Sequence, residues 1–116
     1  MALVLVVDDE ALVRMNAVDM IEHLGHQVVE AANADEAIKI LESRFDIEIV
    51  FSDVSMPGSM DGLRLLHLIR DRWPPIRLIL ASGKNLPGGA KPPEGSVFLC
   101  KPYSLGDVTG ALARAV

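Results

Sequence analysis

The sequence is poor in cysteine and in aromatic residues. Its 116 residues include one cysteine, one tryptophan, one tyrosine and three phenylalanines. A single cysteine cannot form an intramolecular disulfide, which excludes the class of small secreted domains held together by such bonds. Because Cys100 lies in an apolar run, we expect a buried thiol in a protein of a reducing compartment.

Positive charge and long hydrophobic runs are also scarce. Eleven lysines and arginines against sixteen aspartates and glutamates give a formal net charge of −5. Such a chain has no basic excess to attract a phosphate backbone, so we expect no direct binding of nucleic acid. No apolar run approaches the roughly 20 residues of a membrane span, and the Met-Ala-Leu start lacks the features of a signal peptide. We therefore expect no membrane insertion and a cytoplasmic location.

The chain is rich in apolar residues, which make up half of it and occur in short blocks. A chain of this length suffices for one core, so residues 1–116 are predicted to form a single domain. Five apolar runs of strand length alternate with segments of helical periodicity, which predicts an α/β fold with a parallel sheet and helices on both faces. The predicted strands are Leu3–Val7, Gln27–Ala32, Ile47–Asp53, Arg77–Ala81 and Val97–Cys100. The predicted helices are Ala11–Leu24, with one buried stripe, and residues 33–43, 62–72 and 104–116.

The connection between the fourth and fifth strands has an unsuitable composition for a helix. Residues 84–95 contain three prolines and three glycines. Each proline lacks an amide donor and disfavours helical geometry in the residue before it. At most a single helical turn is predicted there, between Gly88 and Lys91.

Charged residues stand at the ends of three predicted strands. Asp8 and Asp9 follow the first strand, Asp53 ends the third, and Lys101 follows the fifth. In an open parallel sheet the carboxyl ends of the strands share one edge, where ligands bind. We therefore expect three carboxylates and one ammonium group to converge. A local role in turning or capping the chain is the alternative for Asp53.

These strand ends resemble the receiver domain of two-component response regulators. The resemblance covers essentially the whole chain and rests on four motifs, which are Val7-Asp8-Asp9-Glu10, Asp53 with Met56-Pro57-Gly58, Ser82-Gly83 and Lys101-Pro102. It implies a flavodoxin-like, doubly wound sheet of strand order 2-1-3-4-5. It also implies a phosphoacceptor switch, in which Asp53 takes a phosphoryl group from a phosphohistidine on a sensor histidine kinase or a histidine phosphotransfer protein.

The resemblance further implies a Mg²⁺ site. This hard cation takes oxygen ligands and keeps several waters. Asp9 and Asp53 would bind it, with the backbone carbonyl of Ser55 as a third protein ligand and Asp8 holding a metal-bound water. Without the cation, the clustered acids should repel one another and raise carboxylate pKa values.

Three further residues match receiver positions. Lys101, preceding a cis proline in such domains, would contact the phosphoryl oxygens, and so would the hydroxyl of Ser82. Phe98 falls at the position of an aromatic switch residue. Each of the three has an alternative interpretation. Lys101 could be a solvated surface lysine, the Ser82 hydroxyl could serve only the turn, and Phe98 could be an ordinary core residue.

The sequence departs from the receiver pattern in two places. Ser59-Met60 makes the loop after Asp53 one residue longer than usual, so the sequence does not define the shape of the rim beside Asp53. The proline-rich residues 84–95 replace the helix that receivers carry before the fifth strand, so that helix is predicted to be shortened or missing. Because that helix forms part of the surface through which receivers usually pass on their signal, the sequence does not define the output surface of this chain.

Two other functions remain as alternatives. A haloacid-dehalogenase-like phosphatase also uses an aspartyl nucleophile and Mg²⁺, but it needs a second aspartate where this chain has Ser55. An interaction module with the same fold but without phosphorylation is the other. We do not expect a conventional enzyme, because catalysis would be confined to self-phosphorylation and self-dephosphorylation. The sequence leaves the downstream partner open, and fits either a stand-alone receiver or a piece of a larger regulator.

Overall fold

The described part of the chain contains five strands and four helices, which alternate except that the fifth strand follows the fourth with no described helix between them. The structure is a computed structural model that describes residues 2–56, 58, 60–83, 86 and 91–115. The strands are β1 (Leu3–Val7), β2 (Gln27–Ala31), β3 (Ile49–Asp53), β4 (Arg77–Ser82) and β5 (Val97–Cys100). The helices are α1 (Ala11–His23), α2 (Ala34–Ser43), α3 (Gly62–Arg72) and α4 (Leu105–Ala115).

The strands form one parallel sheet in the order β2-β1-β3-β4-β5, which confirms the predicted topology. Every residue of the central strands β1 and β3 is buried. Parallel strands covered on both faces are typically apolar along their whole length, and this explains the absence of polar alternation in β1. The edge strands β2 and β5 are more exposed.

Two apolar layers hold the helices on the sheet. Successive side chains of a strand point to opposite faces. Leu5 therefore joins the layer that contains Leu41 of α2 and Leu65 of α3. Val6 joins the opposite layer, which α1 and α4 complete with residues such as Ile21 and Leu112. Burying one such side chain fully contributes roughly 1.5–3 kcal/mol, so these layers supply most of the stabilisation of the fold.

The apolar residues of α1 are only partly buried, and the buried ones form the single predicted stripe. Ala17 and Ile21 are its buried residues, whereas Leu12 and Met15 are 81% and 55% exposed. At about 100° per residue, Leu12 and Met15 lie on the side of the helix away from Ala17. Within the described residues, no helix is both long enough and apolar enough to cross a membrane.

Two predictions were wrong in detail. β3 begins at Ile49 and not at Ile47, because the Glu48 carboxylate accepts the Leu3 N–H at 3.0 Å in place of a backbone carbonyl. The Cys100 thiol is exposed and not buried. In the edge strand β5 it is Leu99 that faces the core, so its neighbour Cys100 points the other way.

The connection from β4 to β5 is described in part. Leu86 and residues 91–95 are not helical. The remaining residues of the segment, including most of the predicted single turn, lie outside the described residues, as does Val116. Two side chains of α3 fasten the described end of this connection. His67 Nε2 lies 2.9 Å from the carbonyl oxygen of Lys91, and Arg70 donates to the carbonyl of Glu94.

The first residue of α3, Gly62, lies directly against the end of β3. A Cβ atom on Gly62 would lie 1.7 Å from the carbonyl oxygen of Asp53 and 2.9 Å from Ser52 Oγ. The Gly62 N–H donates to the Val54 carbonyl at 2.8 Å. The helix start is held further by Asp61, whose side chain accepts the Arg64 N–H. Only glycine lets α3 approach the backbone of Asp53 this closely.

Gly62→Ala is expected to destabilise the protein by about 3 kcal/mol, the upper end of the usual cost of overpacking, because the atom in the way belongs to the backbone. The midpoint of urea unfolding measures this. Gly110→Ala is the matched control, since a Cβ there meets no atom closer than 3.9 Å. In the middle of α4, that change should stabilise by up to about 1 kcal/mol. Equal midpoints for the two variants would contradict the close contact.

Candidate functional site

Three carboxylates meet at the carboxyl edge of the sheet. Asp8 and Asp9 follow β1, and Asp53 is the last residue of β3. One ligand atom from each lies within 4.8 Å of the others. Asp8 and Asp53 are buried, whereas Asp9 is exposed. The predicted convergence of the acids is thereby confirmed, and a purely local role for Asp53 is excluded.

Lys101 joins this cluster from the end of β5. Its Nζ atom lies 3.0 Å from Asp53 Oδ1 and 3.5 Å from Asp8 Oδ2. The backbone holds it in place, because the Lys101 N–H donates to the carbonyl of Ser82 at 2.8 Å. The bond from Lys101 to Pro102 is cis, as the resemblance implied. The alternative of a solvated surface lysine was therefore wrong.

Burial and pairing act against each other on the two central groups. Burial raises the pKa of Asp53, the hydrogen bond and charge of Lys101 offset part of this, and the charge of Asp8 adds to the rise. Burial lowers the pKa of Lys101, but the hydrogen bond to Asp53 and the charges of Asp53 and Asp8 outweigh it, so the net shift is upward. The expectation of a raised carboxylate pKa holds for Asp53, with burial as its main cause in place of repulsion.

The donor set fits a hard divalent cation, which prefers carboxylate oxygens. The two oxygens of Asp8 already face protein donors, since Oδ1 accepts the Glu10 N–H at 3.0 Å and Oδ2 faces Lys101. Asp9 is exposed at the rim and offers its oxygens to an incoming ion. Asp8 therefore suits an indirect role beside Asp9 and Asp53. Ser55, two residues beyond Asp53, is exposed, and its carbonyl ligand role stays a prediction.

The two predicted switch residues lie on β4 and β5. Ser82 ends β4 and is buried, one residue beyond Ala81, which pairs with Asp53 across the sheet. Ser82 thus reaches the same edge as Asp53. Phe98 pairs with Leu80 and is 36% exposed, so the alternative of a plain core phenylalanine was wrong.

The family model described as "Response regulator receiver domain" matches residues 4–112. The chain belongs to the response regulator receiver domain family.

Relatives of this receiver domain are found within larger proteins. It is 43% identical over 112 residues to the sensor kinase CckA of Brucella abortus, covering 90% of this chain and 11% of that protein. It is 34% identical over 116 residues to the transcriptional regulatory protein PdtaR of Mycobacterium tuberculosis, covering 97% of this chain and 56% of that protein. The receiver domain thus spans little more than half of one relative and a small part of the other.

Solved structures agree with the fold. A response regulator receiver domain protein from Clostridium thermocellum superposes with a TM-score of 0.88 at 28% identity, covering 99% of this chain and 94% of that one. The receiver domain of the hybrid histidine kinase CckA gives a TM-score of 0.81 at 30% identity, with 98% of each chain covered.

Sequence reasoning missed two residues that support the receiver site. Gly62, described above, places α3 against the Asp53 backbone, and nothing in the sequence reveals that approach. Tyr103 packs its ring edge-on against Phe51 of β3, with centroids 5.6 Å apart and planes at 76°, and burial raises the pKa of its hydroxyl. An isolated aromatic residue in a loop belongs to no periodic pattern, although its place two residues after Lys101 was a usable signal. The predicted extra residue of the loop after Asp53 falls partly on Ser59, which lies outside the described residues.

Asp53→Asn is expected to stabilise the metal-free receiver at neutral pH. Because the pKa of Asp53 is raised in the folded state, protonated Asp53 favours folding below its ordinary pKa of about 3.9, and this contribution is lost as the pH rises through the higher folded-state value. An amide does not ionise. The melting temperature of the variant in a chelator should therefore exceed that of the original protein at pH 7, and the two should converge near pH 4.

Asp19→Asn, the same change at an exposed aspartate of α1, is the matched control and should not raise the melting temperature at pH 7. A lower melting temperature of Asp53→Asn at pH 7 would mean that the ion pair with Lys101 outweighs the cost of burial.

Proposed function

We infer that this receiver domain is a phosphoacceptor switch of a two-component phosphorelay. The observation that carries this is the buried carboxylate of Asp53, held 3.0 Å from Lys101 Nζ inside a cluster of three acids. The phosphoryl donor is a phosphohistidine on a sensor histidine kinase or a histidine phosphotransfer protein. The relatives support such a partner in so far as one of them is itself described as a sensor kinase.

Asp53 acts as the nucleophile. One of its oxygens attacks the phosphorus, the bond from phosphorus to the donor imidazole breaks, and the freed imidazole nitrogen takes up a proton. The product is an acyl phosphate on Asp53, an intermediate of the kind that aspartyl-phosphate ATPases form. Lys101 already contacts Asp53 Oδ1, so the ammonium group fixes the carboxylate and then neutralises the phosphoryl oxygens.

Phosphoryl transfer needs alignment and charge neutralisation more than covalent help from the protein. Asp9, Asp53 and the backbone carbonyl of Ser55 would hold Mg²⁺, and Asp8 would hold a water bound to it. The ion, when bound, neutralises charge on the transferring group. This receiver catalyses only its own phosphorylation and dephosphorylation and is not a conventional enzyme.

Ser82 and Phe98 pass the change to the surface. The phosphoryl group brings a charge of roughly −1.5 to −2 and new acceptor oxygens beside the end of β4. The Ser82 hydroxyl moves toward these oxygens with its loop, and the exposed ring of Phe98 on the neighbouring strand follows. A downstream protein or output domain then binds the altered surface. A cytoplasmic location stays a prediction.

The alternatives have less support. A haloacid-dehalogenase-like phosphatase needs a second aspartate where Ser55 stands, and the family match is to receivers. Lys101 forms ion pairs with the two buried aspartates Asp8 and Asp53. Burying these charges is costly, and an interaction module that is never phosphorylated would not need them.

Incubation with acetyl phosphate and Mg²⁺ should raise the mass of the protein by one phosphoryl group. Asp53→Asn should abolish the rise, because the nucleophile is lost, and Asp9→Asn should reduce it by weakening metal binding. Intact-mass spectrometry measures both. Asp19→Asn is the control and should be labelled normally. Undiminished labelling of Asp53→Asn would rule out Asp53 as the acceptor.

Mg²⁺ should raise the melting temperature, because it binds the folded site and not the unfolded chain. At a hundredfold excess over its dissociation constant, mass action gives about 2.7 kcal/mol. Asp9→Ala should remove most of this response, and Asp19→Ala should keep it. Melting temperatures indifferent to Mg²⁺ in the original protein would show that the three acids do not form a metal site.

A further inference from the structure

The side chain of Arg14 joins three elements next to the acid cluster. Arg14 lies in the first turns of α1, and its Nη1 atom donates to the carbonyl oxygen of Asp8 at 2.7 Å. Its Nε atom donates to Glu30 Oε1 on the edge strand β2 at 3.1 Å. The Arg14 side chain is 19% exposed, and its contact with the Asp8 carbonyl is partly buried, whereas the Glu30 side chain is 48% exposed and its contact with Arg14 is open to water.

These contacts complete the fixation of Asp8. Its N–H donates to the Ala31 carbonyl at 3.1 Å, and its two carboxylate oxygens face Glu10 and Lys101 as described above. Its carbonyl oxygen is the remaining polar atom, and Arg14 binds it. That carbonyl belongs to the peptide that joins Asp8 to Asp9. Whatever fixes this peptide also sets the direction in which the exposed Asp9 carboxylate leaves the backbone.

We propose that Arg14 is a positioning residue for the metal site, and that Glu30 orients it. The proposal rests on the proposed function, since it concerns Mg²⁺ binding by Asp9 and Asp53. Arginine suits the task because its planar guanidinium group donates in two fixed directions at once. One direction reaches the Asp8 carbonyl and the other reaches Glu30. The edge strand β2 is thereby connected to the site at the centre of the sheet.

Geometry and charge predict opposite effects for the loss of Arg14. A positive group near three carboxylates repels a cation, so its removal should tighten Mg²⁺ binding if charge alone counts. If Arg14 instead holds the Asp8–Asp9 peptide, its removal should weaken binding. Loss of a group that orients metal ligands typically costs 10–100-fold in affinity. The sign of the change therefore separates the two effects.

The test is calorimetric titration of the full chain with Mg²⁺, without any phosphoryl donor. Arg14→Ala should raise the dissociation constant roughly tenfold or more, and Arg14→Lys should raise it several-fold although the charge is kept. Glu30→Gln should weaken binding in the same direction but less, since the amide oxygen still accepts a hydrogen bond. Arg114→Ala, at the far end of α4, removes the same charge away from the site and should leave affinity unchanged.

A second readout needs no metal. In the metal-free protein, Arg14→Ala should speed hydrogen exchange of the Glu10 amide, which donates to Asp8 Oδ1. If Arg14→Ala does not fold, Arg14→Lys and Glu30→Gln still decide the question. Unchanged or tighter Mg²⁺ binding in the folded variants would overturn the positioning role and leave the proposed function standing. Failure of the original protein to bind Mg²⁺ would overturn the metal site and the role of Arg14 with it.

Discussion

The pairing of Lys101 with Asp53 and Asp8 is the constraint on which the arrangement of the site depends. Two carboxylates are buried at the end of the central strands, and a buried charge is costly unless it is paired. Their partner comes from the far edge of the sheet, so β5 has to end level with β3 for Lys101 to reach Asp53. The parallel order of the strands and the hydrogen bond from Lys101 to the Ser82 carbonyl meet this requirement.

One ammonium group does not balance three carboxylates. Asp53 is left with a raised pKa in spite of Lys101, and Asp9 is left exposed beside it. The edge of the sheet is therefore short of positive charge in the metal-free protein. A divalent cation would make up this deficit, and in the proposed function it would prepare the same edge to accept a phosphoryl group, which brings new negative charge. The residues that leave this edge short of positive charge are thus the ones that the proposed phosphoryl chemistry would use.

The sequence was informative where a pattern repeats or where several motifs agree. The unbroken apolar runs predicted β1 and β5 with their observed limits, and the charged residues after the strands predicted the convergence of Asp8, Asp9 and Asp53. The order of the strands came from the resemblance to receivers and not from the composition of any strand.

What could not be predicted depends on contacts between distant parts of the chain. Cys100 and Leu12 are apolar in sequence but exposed, because burial depends on which face of an element is covered. β3 starts late because the Glu48 side chain takes over a backbone hydrogen bond. The fit of Gly62 on the Asp53 carbonyl and the contacts of Arg14 follow from the packing of α3 and α1, which no local pattern encodes.

The most direct test of the account is to identify the phosphorylated side chain. Borohydride reduces an acyl phosphate to an alcohol, so an aspartyl phosphate becomes homoserine and marks its own position in the chain. After incubation with acetyl phosphate and Mg²⁺, followed by borohydride, peptide mapping should find homoserine at position 53 and aspartate at positions 8 and 9. Homoserine at position 8 or 9, or a phosphate that survives borohydride on a serine, would contradict the central role of Asp53.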